Sequence, residues 1–289
     1  MGIPMTTYAQ AGVEADKLLR YRALFLKCFP TADKFRHPAF LRWLYAGNPD
    51  GQVVGFDAFD GDLLIAHYAC VPAMVRIGGS QARALLSLNT ATHPEYQGKG
   101  LFTQLANMTY RHAAELGFDC VYGVANANST PGFVRKLGFQ LVQPLDARLG
   151  IGGLGIDFDA VARNAEFERT WTREAIGWRQ ANPVNAIQCQ RHGQKLSLTA
   201  QASGRILSAY AELPVSAALQ SAATGGRGAP FRLYLGLTPD GACEFHTYAQ
   251  IPARLRPSPL NLIYRSLQGE SRQLTRGHVQ FSFLDFDAY

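Results

Sequence analysis

The stretch from Thr92 to Thr103, THPEYQGKGLFT, limits what this chain can fold into more than any other part of it. An alternating apolar run over residues 84–91 precedes it and predicts a strand. A helical spacing of side chains follows it, at Leu101, Leu105, Met108 and His112. Gly98 and Gly100 remove side chains at the start of this helix, so backbone N–H groups stay bare at the positive end of its macrodipole. A helix N-terminus of this kind favours binding of a phosphate group.

Two nucleotide-binding motifs that also use a glycine turn do not fit the stretch. A dinucleotide fingerprint requires Gly-x-Gly-x-x-Gly, and Thr103 occupies the position of the third glycine. A P-loop requires Gly-Lys followed by Ser or Thr, whereas Lys99 is followed by Gly100. An ordinary glycine turn without a ligand is the remaining alternative from the residues alone.

Composition indicates a globular protein with room for two domains. The chain has 289 residues, 47% of them hydrophobic and 17% charged. No apolar run approaches the length of a membrane span, and the N-terminal residues lack the pattern of a secretory signal. Five scattered cysteines form no Cys-x-x-Cys pair. We therefore expect reduced thiols in the cytoplasm, no metal site and no membrane partner.

The positive charge does not point to nucleic acid. The net charge is +6, but Lys and Arg are dispersed, and the longest basic block is Arg135-Lys136. A nucleic-acid binder usually concentrates such charge in a stripe. The mild positive balance also suits a polyanionic small molecule.

The order of elements in the first half predicts a mixed sheet. Apolar spacing predicts helices over residues 15–29 and 40–45, and alternation predicts strands over 52–58, 63–71, 75–77 and 82–91, with a hairpin turn at Asp60-Gly61. After the turn helix at roughly 100–116 come a buried strand at 119–124, an Asn-rich turn at 126–131 and a helix ending at Leu137-Gly138. Two strands flanking a crossover helix predict a parallel pair.

The glycine turn resembles the pyrophosphate-binding signature of the GCN5-related N-acetyltransferase (GNAT) superfamily, Gln/Arg-x-x-Gly-x-Gly/Ala. Gln97 and Gly100 fit this signature, and Phe102 departs from its last small position, where we expect its ring to crowd the turn. The element order over about residues 15–145 resembles the same fold. The resemblance implies an α/β fold with a mixed (α+β) sheet, whose fourth and fifth strands splay apart around the acyl-pantetheine arm of coenzyme A.

The resemblance also implies the residues that hold acyl-CoA. Main-chain groups of the strand before the turn would pair with the pantetheine arm, the turn would hold the pyrophosphate, and the Asn-rich turn would lie beside the thioester. The expected cofactor-binding residues are Ala91, Thr92, His93, Gln97, Gly98, Lys99, Gly100, Leu101, Phe102, Thr103, Asn128 and Ser129.

The catalytic groups are less evident from the sequence. Enzymes of the family often use a tyrosine as the acid for the leaving thiolate, and here that position holds Val134. The candidates for proton transfer or positioning are His93, Tyr68 and Asn89. Each has a plainer alternative: an exposed residue before proline for His93, a core residue for Tyr68, and an ordinary strand polar group for Asn89. We expect a main-chain N–H near residues 91–93 to stabilise the oxyanion.

The second half repeats some features of the first. Trp178 precedes Asn182-Pro183 as Trp43 precedes Asn48-Pro49, and a strand-turn-strand pattern follows each pair, over residues 186–211 and 52–71. Residues 258–267 are similar to residues 128–137 in their Arg-x-Leu ending. Phe231–Leu237 would be a counterpart strand, and residues 278–287 alternate as a strand. Coincidence in composition is the alternative to duplication.

We therefore predict two tandem GNAT-like domains, a catalytic one at residues 1–150 and a degenerate one at 151–289 that walls the acceptor pocket. The resemblance implies an N-acyltransferase that moves an acetyl or other acyl group from acyl-CoA to a small-molecule amine, by direct transfer in a ternary complex. Arg227, Arg254 and Arg256 would receive an anionic acceptor or simply be solvated. The oligomeric state is open, with a homodimer among the options. The competing hypothesis is a GNAT-like acyl-CoA sensor or scaffold without turnover, which Val134 favours.

Overall fold

Two β-sheets, with six α-helices beside them, form the described part of the chain. The structure is a computed structural model, and it describes residues 6–204, 206–216, 219, 229–269 and 272–286. The helices in this part are α1 (Ala15–Cys28), α2 (Phe40–Ala46), α3 (Leu101–Glu115), α4 (Thr130–Leu137), α5 (Phe158–Asn164) and α6 (Arg173–Gln180). Within it, no helix combines the length and the apolar character that crossing a membrane requires.

The first sheet contains the glycine turn. Its strands are β1 (Thr7–Gln10), β2 (Val54–Asp60), β3 (Leu63–Ile77), β4 (Ser80–Thr92), β5 (Cys120–Ala125), β6 (Gln140–Pro144), β8 (Phe167–Arg169) and β14 (Asn261–Ser266). The order is β1-β2-β3-β4-β5-β14-β6, with β8 paired to β3. The pair β4–β5 is parallel and the others are antiparallel. The predicted mixed sheet, its antiparallel meander and its parallel pair are therefore confirmed.

The second sheet repeats the order and directions of the first. Its strands are β7 (Asp146–Gly150), β9 (Gln188–His192), β10 (Lys195–Ser203), β11 (Leu207–Pro214), β12 (Phe231–Gly236) and β13 (Tyr248–Gln250). The order β9-β10-β11-β12-β7-β13 matches β2-β3-β4-β5-β14-β6 position by position. The match includes the single parallel pair in each sheet, β11–β12 here and β4–β5 there. The fold is thus that of two tandem GNAT-like units.

The two sheets exchange one strand across the predicted boundary between residues 150 and 151. Strand β7 comes before this boundary in the chain but lies between β12 and β13 of the second sheet. Strand β14 comes after the boundary but lies between β5 and β6 of the first sheet. Each sheet therefore depends on the other half of the chain for a central strand.

One expectation for the first half needs correction. The predicted strands over 63–71 and 75–77 are one continuous strand, β3, which runs through Pro72. Both faces of this strand are covered: His67 packs on the side of α1, whereas Tyr68 packs on the side of α3, and both are fully buried. Strand β3 is therefore buried on both faces at this level.

Three expectations for the second half are wrong in detail. The segment compared with residues 128–137 forms strand β14, whereas 130–137 form helix α4. The predicted counterpart strand is β12, but it matches β5 rather than the strand before a glycine turn. Residues 278–286 make only isolated bridges at Val279 and Phe281 and a 3₁₀ turn at Phe283–Asp285. Their alternation reflects burial against other elements, since Phe283 and Leu284 are both buried.

Candidate active site

The glycine turn lies open at the start of α3. Gly98 and Gly100 have φ of 77° and 79°, which only glycine adopts without strain, and a Cβ on either would meet nothing within 4 Å. Gly100 is the N-cap and offers no side chain to the helix. The first helical bond of α3 runs from Gln104 N–H to Gly100 O at 3.1 Å, so within the described residues the N–H groups of residues 101–103 have no intrahelical partner. The arrangement provides bare donors, at the positive end of a helix dipole, for an anion.

The side chains around the turn leave it uncrowded. Phe102 turns away toward α4, where its ring meets Phe133 edge-on at 5.3 Å between centroids, and it also lies 6.0 Å from Tyr68. The expectation that Phe102 crowds the turn is therefore wrong. Lys99 is exposed and lies over the Tyr96 ring at 4.4 Å, so its charge stays beside the turn.

Strands β4 and β5 diverge next to the turn. Their last pair is Ser87 with Gly123, and beyond it β5 pairs only with β14. At the same level β4 carries a bulge, with Asn89 and Thr90 opposite Tyr68 of β3. Asn89 has a φ of 47°, a conformation that asparagine tolerates better than most residues. The predicted divergence of the fourth and fifth strands is confirmed.

A cleft of about 500 Å³, here called the β4 cleft, opens beside this divergence. It lies between β4, β5, the C-terminal end of α1 with the loop that follows, and the end of the described chain. The lining residues are Cys28, Phe29, Pro30, Thr31, Ala32, Lys34, Phe35, Leu86, Ser87, Leu88, Asn89, Thr90, Val124 and Phe286. Asn89 is thus the one predicted catalytic residue among those that line it.

A buried chain of polar groups leads from Asn89 into the core. Asn89 Nδ2 donates to Tyr45 OH (3.2 Å), which lies 2.9 Å from His67 Nε2, and His67 Nδ1 lies 2.6 Å from Asp57 Oδ1. Tyr21 OH donates to the other carboxylate oxygen of Asp57 at 2.7 Å. Asp57, His67 and Tyr45 are completely buried. Asp57 and Tyr45 are not evident from the residue pattern, because only the pairing of β2 with β3 and the packing of α2 bring them to His67.

Tyr68 lies on the opposite face of β3 from His67. Its hydroxyl is 2.7 Å from Ser87 Oγ and 2.5 Å from Tyr110 OH, and burial raises the pKa of both tyrosines well above the usual value. Tyr68 is completely buried, so it reaches the β4 cleft only through Ser87. It cannot contact a substrate directly in this structure.

His93 is held at the exit of β4. Its N–H donates to Ile65 O at 2.8 Å, and its Nδ1 accepts from Glu95 N–H at 3.3 Å. The expected oxyanion donor is therefore not the His93 N–H, which already has a partner. An acceptor Nδ1 places the proton of a neutral imidazole on Nε2, so His93 offers a donor rather than a base. Ala91 and Thr92 continue the pairing with His67 and Ala66 of β3.

The Asn-rich turn is organised by the side chain of Asn126. Asn126 Oδ1 accepts from the N–H groups of Asn128 and Ser129, both at 3.0 Å, while Ser129 is the N-cap of α4 without a capping side-chain bond. Asn128 is exposed at this turn. Ser258, from the second half, accepts the N–H of Ala127 at 3.2 Å. Nothing in the local residue pattern indicates this contact.

The remaining candidates lie outside the cleft. Val134 is half-buried on α4. Arg256 donates to the carbonyls of Ile251 (2.9 Å) and Leu145 (3.3 Å), so its role here is structural, and Arg254 is exposed on a 3₁₀ turn. Arg227 lies outside the described residues.

Comparisons with known proteins agree with this geometry. The family model described as "Acetyltransferase (GNAT) domain" matches residues 12–142. A GCN5-related N-acetyltransferase from Anabaena variabilis has a TM-score of 0.56 at 13% identity, over 91% of this chain and 73% of its own. Another from Kribbella flavida has a TM-score of 0.58 at 14% identity, over 90% and 71%.

A third solved structure, described as a probable N-acyltransferase from Enterococcus faecalis, has a TM-score of 0.53 at 10% identity, over 91% of this chain and 73% of its own. Identities this low show the fold alone. No curated protein sequence matches this chain significantly. The family match, the glycine turn and the diverging strands identify residues 12–142 of this chain as a GNAT acetyltransferase domain.

Proposed function

We propose that this protein is an N-acyltransferase that moves the acetyl group of acetyl-CoA to a primary amine of a small molecule, such as an amino sugar or another metabolite. The observation that carries the proposal is the exposed helix start at Gly98–Thr103, where N–H donors and a glycine backbone face solvent beside two diverging strands. Acyl-CoA supplies an acyl group already activated as a thioester. The turn residues 97–103 would hold its diphosphate, with residues 91–93, Asn128 and Ser129 beside the rest of the molecule.

We assign the amine acceptor to the β4 cleft. Asn89 lines this cleft, and its Nδ2 is engaged by Tyr45, which leaves its carbonyl oxygen as the atom that can accept a hydrogen bond from an amine. An acceptor at this point orients the lone pair of a neutral amine. Alignment of two bound reactants can supply roughly 7–11 kcal/mol of the barrier reduction in favourable cases.

The buried polar chain determines which way the Asn89 amide points. The Asp57 carboxylate only accepts, so His67 carries its proton on Nδ1 and presents Nε2 as an acceptor. Tyr45 OH then donates to His67, and its oxygen must accept from Asn89 Nδ2. Asp57, His67 and Tyr45 are thus positioning residues that act through Asn89.

The other steps of acyl transfer need few further groups. Phe29 and Thr31 are exposed at the rim of the cleft, so water can enter it. Water can then take the proton that the substrate's ammonium group loses when it becomes a neutral amine. The bulge at Asn89 and Thr90 interrupts the pairing of β4 with β3. We propose that a main-chain N–H group of this bulge is the hydrogen-bond donor that stabilises the oxyanion. Burial keeps the Tyr68 hydroxyl protonated, so it can donate to Ser87 Oγ. The Ser87 hydroxyl would then donate a hydrogen bond to the leaving thiolate, which takes its proton from water, in place of the tyrosine that Val134 replaces.

Direct transfer is favoured over an acyl-enzyme intermediate. Cys28 is the one cysteine that lines the β4 cleft, and its Sγ donates to Thr92 O at 3.3 Å. Burial raises the pKa of the Cys28 thiol, which keeps it protonated and poorly nucleophilic. All five cysteines are free thiols, a state that supports a cytoplasmic location.

The proposal is tested by measuring the release of free thiol from acetyl-CoA by the purified full chain. The acceptors are a panel of primary amines that includes amino sugars. We expect amine-dependent thiol release together with an N-acetylated product in the mass spectrum. Coenzyme A binding by calorimetry without turnover on any amine would favour the sensor, the second candidate, which rests on Val134. Absence of coenzyme A binding would contradict both functions.

A further inference from the structure

A second cavity lies between the two sheets, apart from the β4 cleft. It encloses about 360 Å³ and is lined by α5, β8, the end of β11 and the last described residues of the chain. It shares no lining residue with the β4 cleft. Its volume corresponds to about a dozen liquid water molecules, which is enough for a small organic ligand.

Several polar atoms around this cavity are buried without a partner. Within the described residues, Glu212 Oε2, Asp285 Oδ1, Gln280 Oε1 and Arg169 Nε have no hydrogen bond. Glu212, Asp285 and Arg169 are each more than nine-tenths buried. Unpaired buried groups of this kind destabilise a fold unless water or a ligand satisfies them.

The two carboxylates are each held in place by hydrogen bonds to their other oxygen. Glu212 Oε1 accepts from Tyr210 OH (2.6 Å) and Lys195 Nζ (2.9 Å). Asp285 Oδ2 accepts from the N–H of Ser282 at 2.6 Å and from its hydroxyl at 3.1 Å. The free oxygen of each carboxylate is therefore preorganised rather than adaptable. Preorganised acceptors reduce the entropy that a ligand loses on binding.

The chemistry of the lining selects a cation. Three of the four unpaired atoms are oxygens that accept hydrogen bonds, two of them on carboxylates, and the remaining one is a donor on Arg169. Half-buried Phe158 and Trp171 supply an apolar and aromatic wall on the same cavity. An ammonium group offers three N–H donors and a positive charge, which match the oxygens better than water does.

We propose that this cavity binds a small organic ammonium compound, with its ammonium at Glu212, Asp285 and Gln280 and its apolar body against Phe158 and Trp171. The site is independent of acyl transfer, because its residues are distinct from those assigned to either substrate. Arg169 would donate its Nε–H to a hydroxyl or carboxylate oxygen of the ligand. Asp285 adjoins Phe286 of the β4 cleft, so the two sites meet at consecutive residues.

Calorimetry on the full chain without acyl-CoA tests the site, with 2-phenylethylamine, tyramine and cyclohexylamine as probes and 2-phenylethanol as the uncharged control. We expect at least one amine to bind and the alcohol to bind at least tenfold more weakly. Gln280→Met removes an unpaired oxygen at similar size, and Glu212→Gln removes a charge. Each should weaken amine binding at least tenfold, with the fold checked by circular dichroism.

A matched variant locates the binding. Glu115→Gln removes an exposed carboxylate from α3, far from the cavity lining, so it should leave the amine affinity within twofold of the unsubstituted protein. The proposal is overturned if none of the three amines binds, which would mean that water alone fills the cavity. It is also overturned if the alcohol matches the amines, or if Gln280→Met and Glu212→Gln both leave the affinity unchanged.

Discussion

Trp43 and Trp178 exchange hydrogen bonds across the centre of the molecule. The indole N–H of Trp43 donates to the carbonyl of Trp178 at 2.7 Å, and the indole N–H of Trp178 donates to the carbonyl of Trp43 at 2.9 Å. The two rings stack at 5.0 Å with an interplanar angle of 21°. Trp43 lies on α2, before the β2–β3 hairpin, and Trp178 lies on α6, before the β9–β10 hairpin. The contact therefore joins equivalent positions of the two halves. This relation supports duplication of one ancestral unit.

Replacing either tryptophan should destabilise the whole fold. Trp43→Phe or Trp178→Phe removes a buried hydrogen bond from an indole N–H to the carbonyl of the partner, and it also opens a cavity. Each carbonyl keeps one backbone donor, Ala181 N–H for Trp178 and Gly47 N–H for Trp43. We expect a loss of about 2–3 kcal/mol in the free energy of unfolding for each. Denaturant titration measures it, with Trp171→Phe, at the half-buried third tryptophan, as the control that should lose less. Equal losses for all three variants would contradict a special role of the reciprocal pair.

The local parts of the site were predictable from the sequence. The glycine turn is specified by neighbouring residues: two glycines at positive φ, a strand before them and a helix after them. The Trp and Asn-Pro pattern shared by the two halves also predicted a true structural similarity. In each half it lies where a helix, α2 or α6, leads into the first hairpin of the sheet. These features depend on residues close together in the chain, which periodicity and turn chemistry can identify.

The non-local parts were not predictable. His67 acquires Asp57 and Tyr45 from a paired strand and a packed helix, and a one-residue change of register would break that contact. Nothing in the composition of β14 indicates that it inserts between β5 and β6. The unpaired atoms of the second cavity likewise come from distant segments.

The positioning chain predicts a selective loss of amine reactivity. In Tyr45→Phe the hydroxyl that holds the Asn89 amide is missing, so kcat/KM for the amine should fall at least about tenfold. The affinity for coenzyme A should stay unchanged, since Tyr45 is remote from the glycine turn. Tyr21→Phe is the matched control, because it removes another buried hydroxyl of the Asp57 cluster without touching Asn89. Equal losses in both variants would indicate damage to the core instead.

Cys28 should be dispensable for transfer. Its thiol lines the β4 cleft, but burial raises its pKa and keeps it protonated. Cys28→Ser, which retains a donor for Thr92 O, should keep kcat within about threefold of the unsubstituted protein, as expected when no acyl group passes through the thiol. Steady-state kinetics and intact-protein mass spectrometry check this. Loss of activity, with an acetylated Cys28 detected before substitution, would contradict direct transfer.

Asp285 should make stability fall as pH rises. Burial raises its pKa from the ordinary 3.8 to about 6, against the opposing charges of Arg169 and Arg179. The pKa of Asp285 is thus higher in the folded than in the unfolded state. Its contribution to the free energy of unfolding is therefore fully present below pH 3.8 and is lost as pH rises through about 6. The shift corresponds to about 3 kcal/mol.

Asp285→Asn should cancel this dependence, because an amide does not ionise. Denaturant unfolding at pH 4 and pH 8 should show the variant gaining stability relative to the unsubstituted protein at the higher pH. The Ser282 N–H can still donate to the amide oxygen, so the variant retains that contact. A difference between the two proteins that is the same at both pH values would contradict the assignment.

Coenzyme A binding to two glycine variants tests the central claim most directly. Gly100 and Gly79 have φ of 79° and 85°, and an added Cβ meets nothing within 4 Å at either, so alanine imposes the same backbone strain, about 1–2 kcal/mol, at both. Gly79 lies in the β3–β4 hairpin away from the turn. If the turn holds the diphosphate, Gly100→Ala should weaken coenzyme A binding by at least tenfold in calorimetry while Gly79→Ala leaves it unchanged. Unchanged binding in Gly100→Ala, or equal weakening in both variants, would contradict the assignment of this helix start to acyl-CoA.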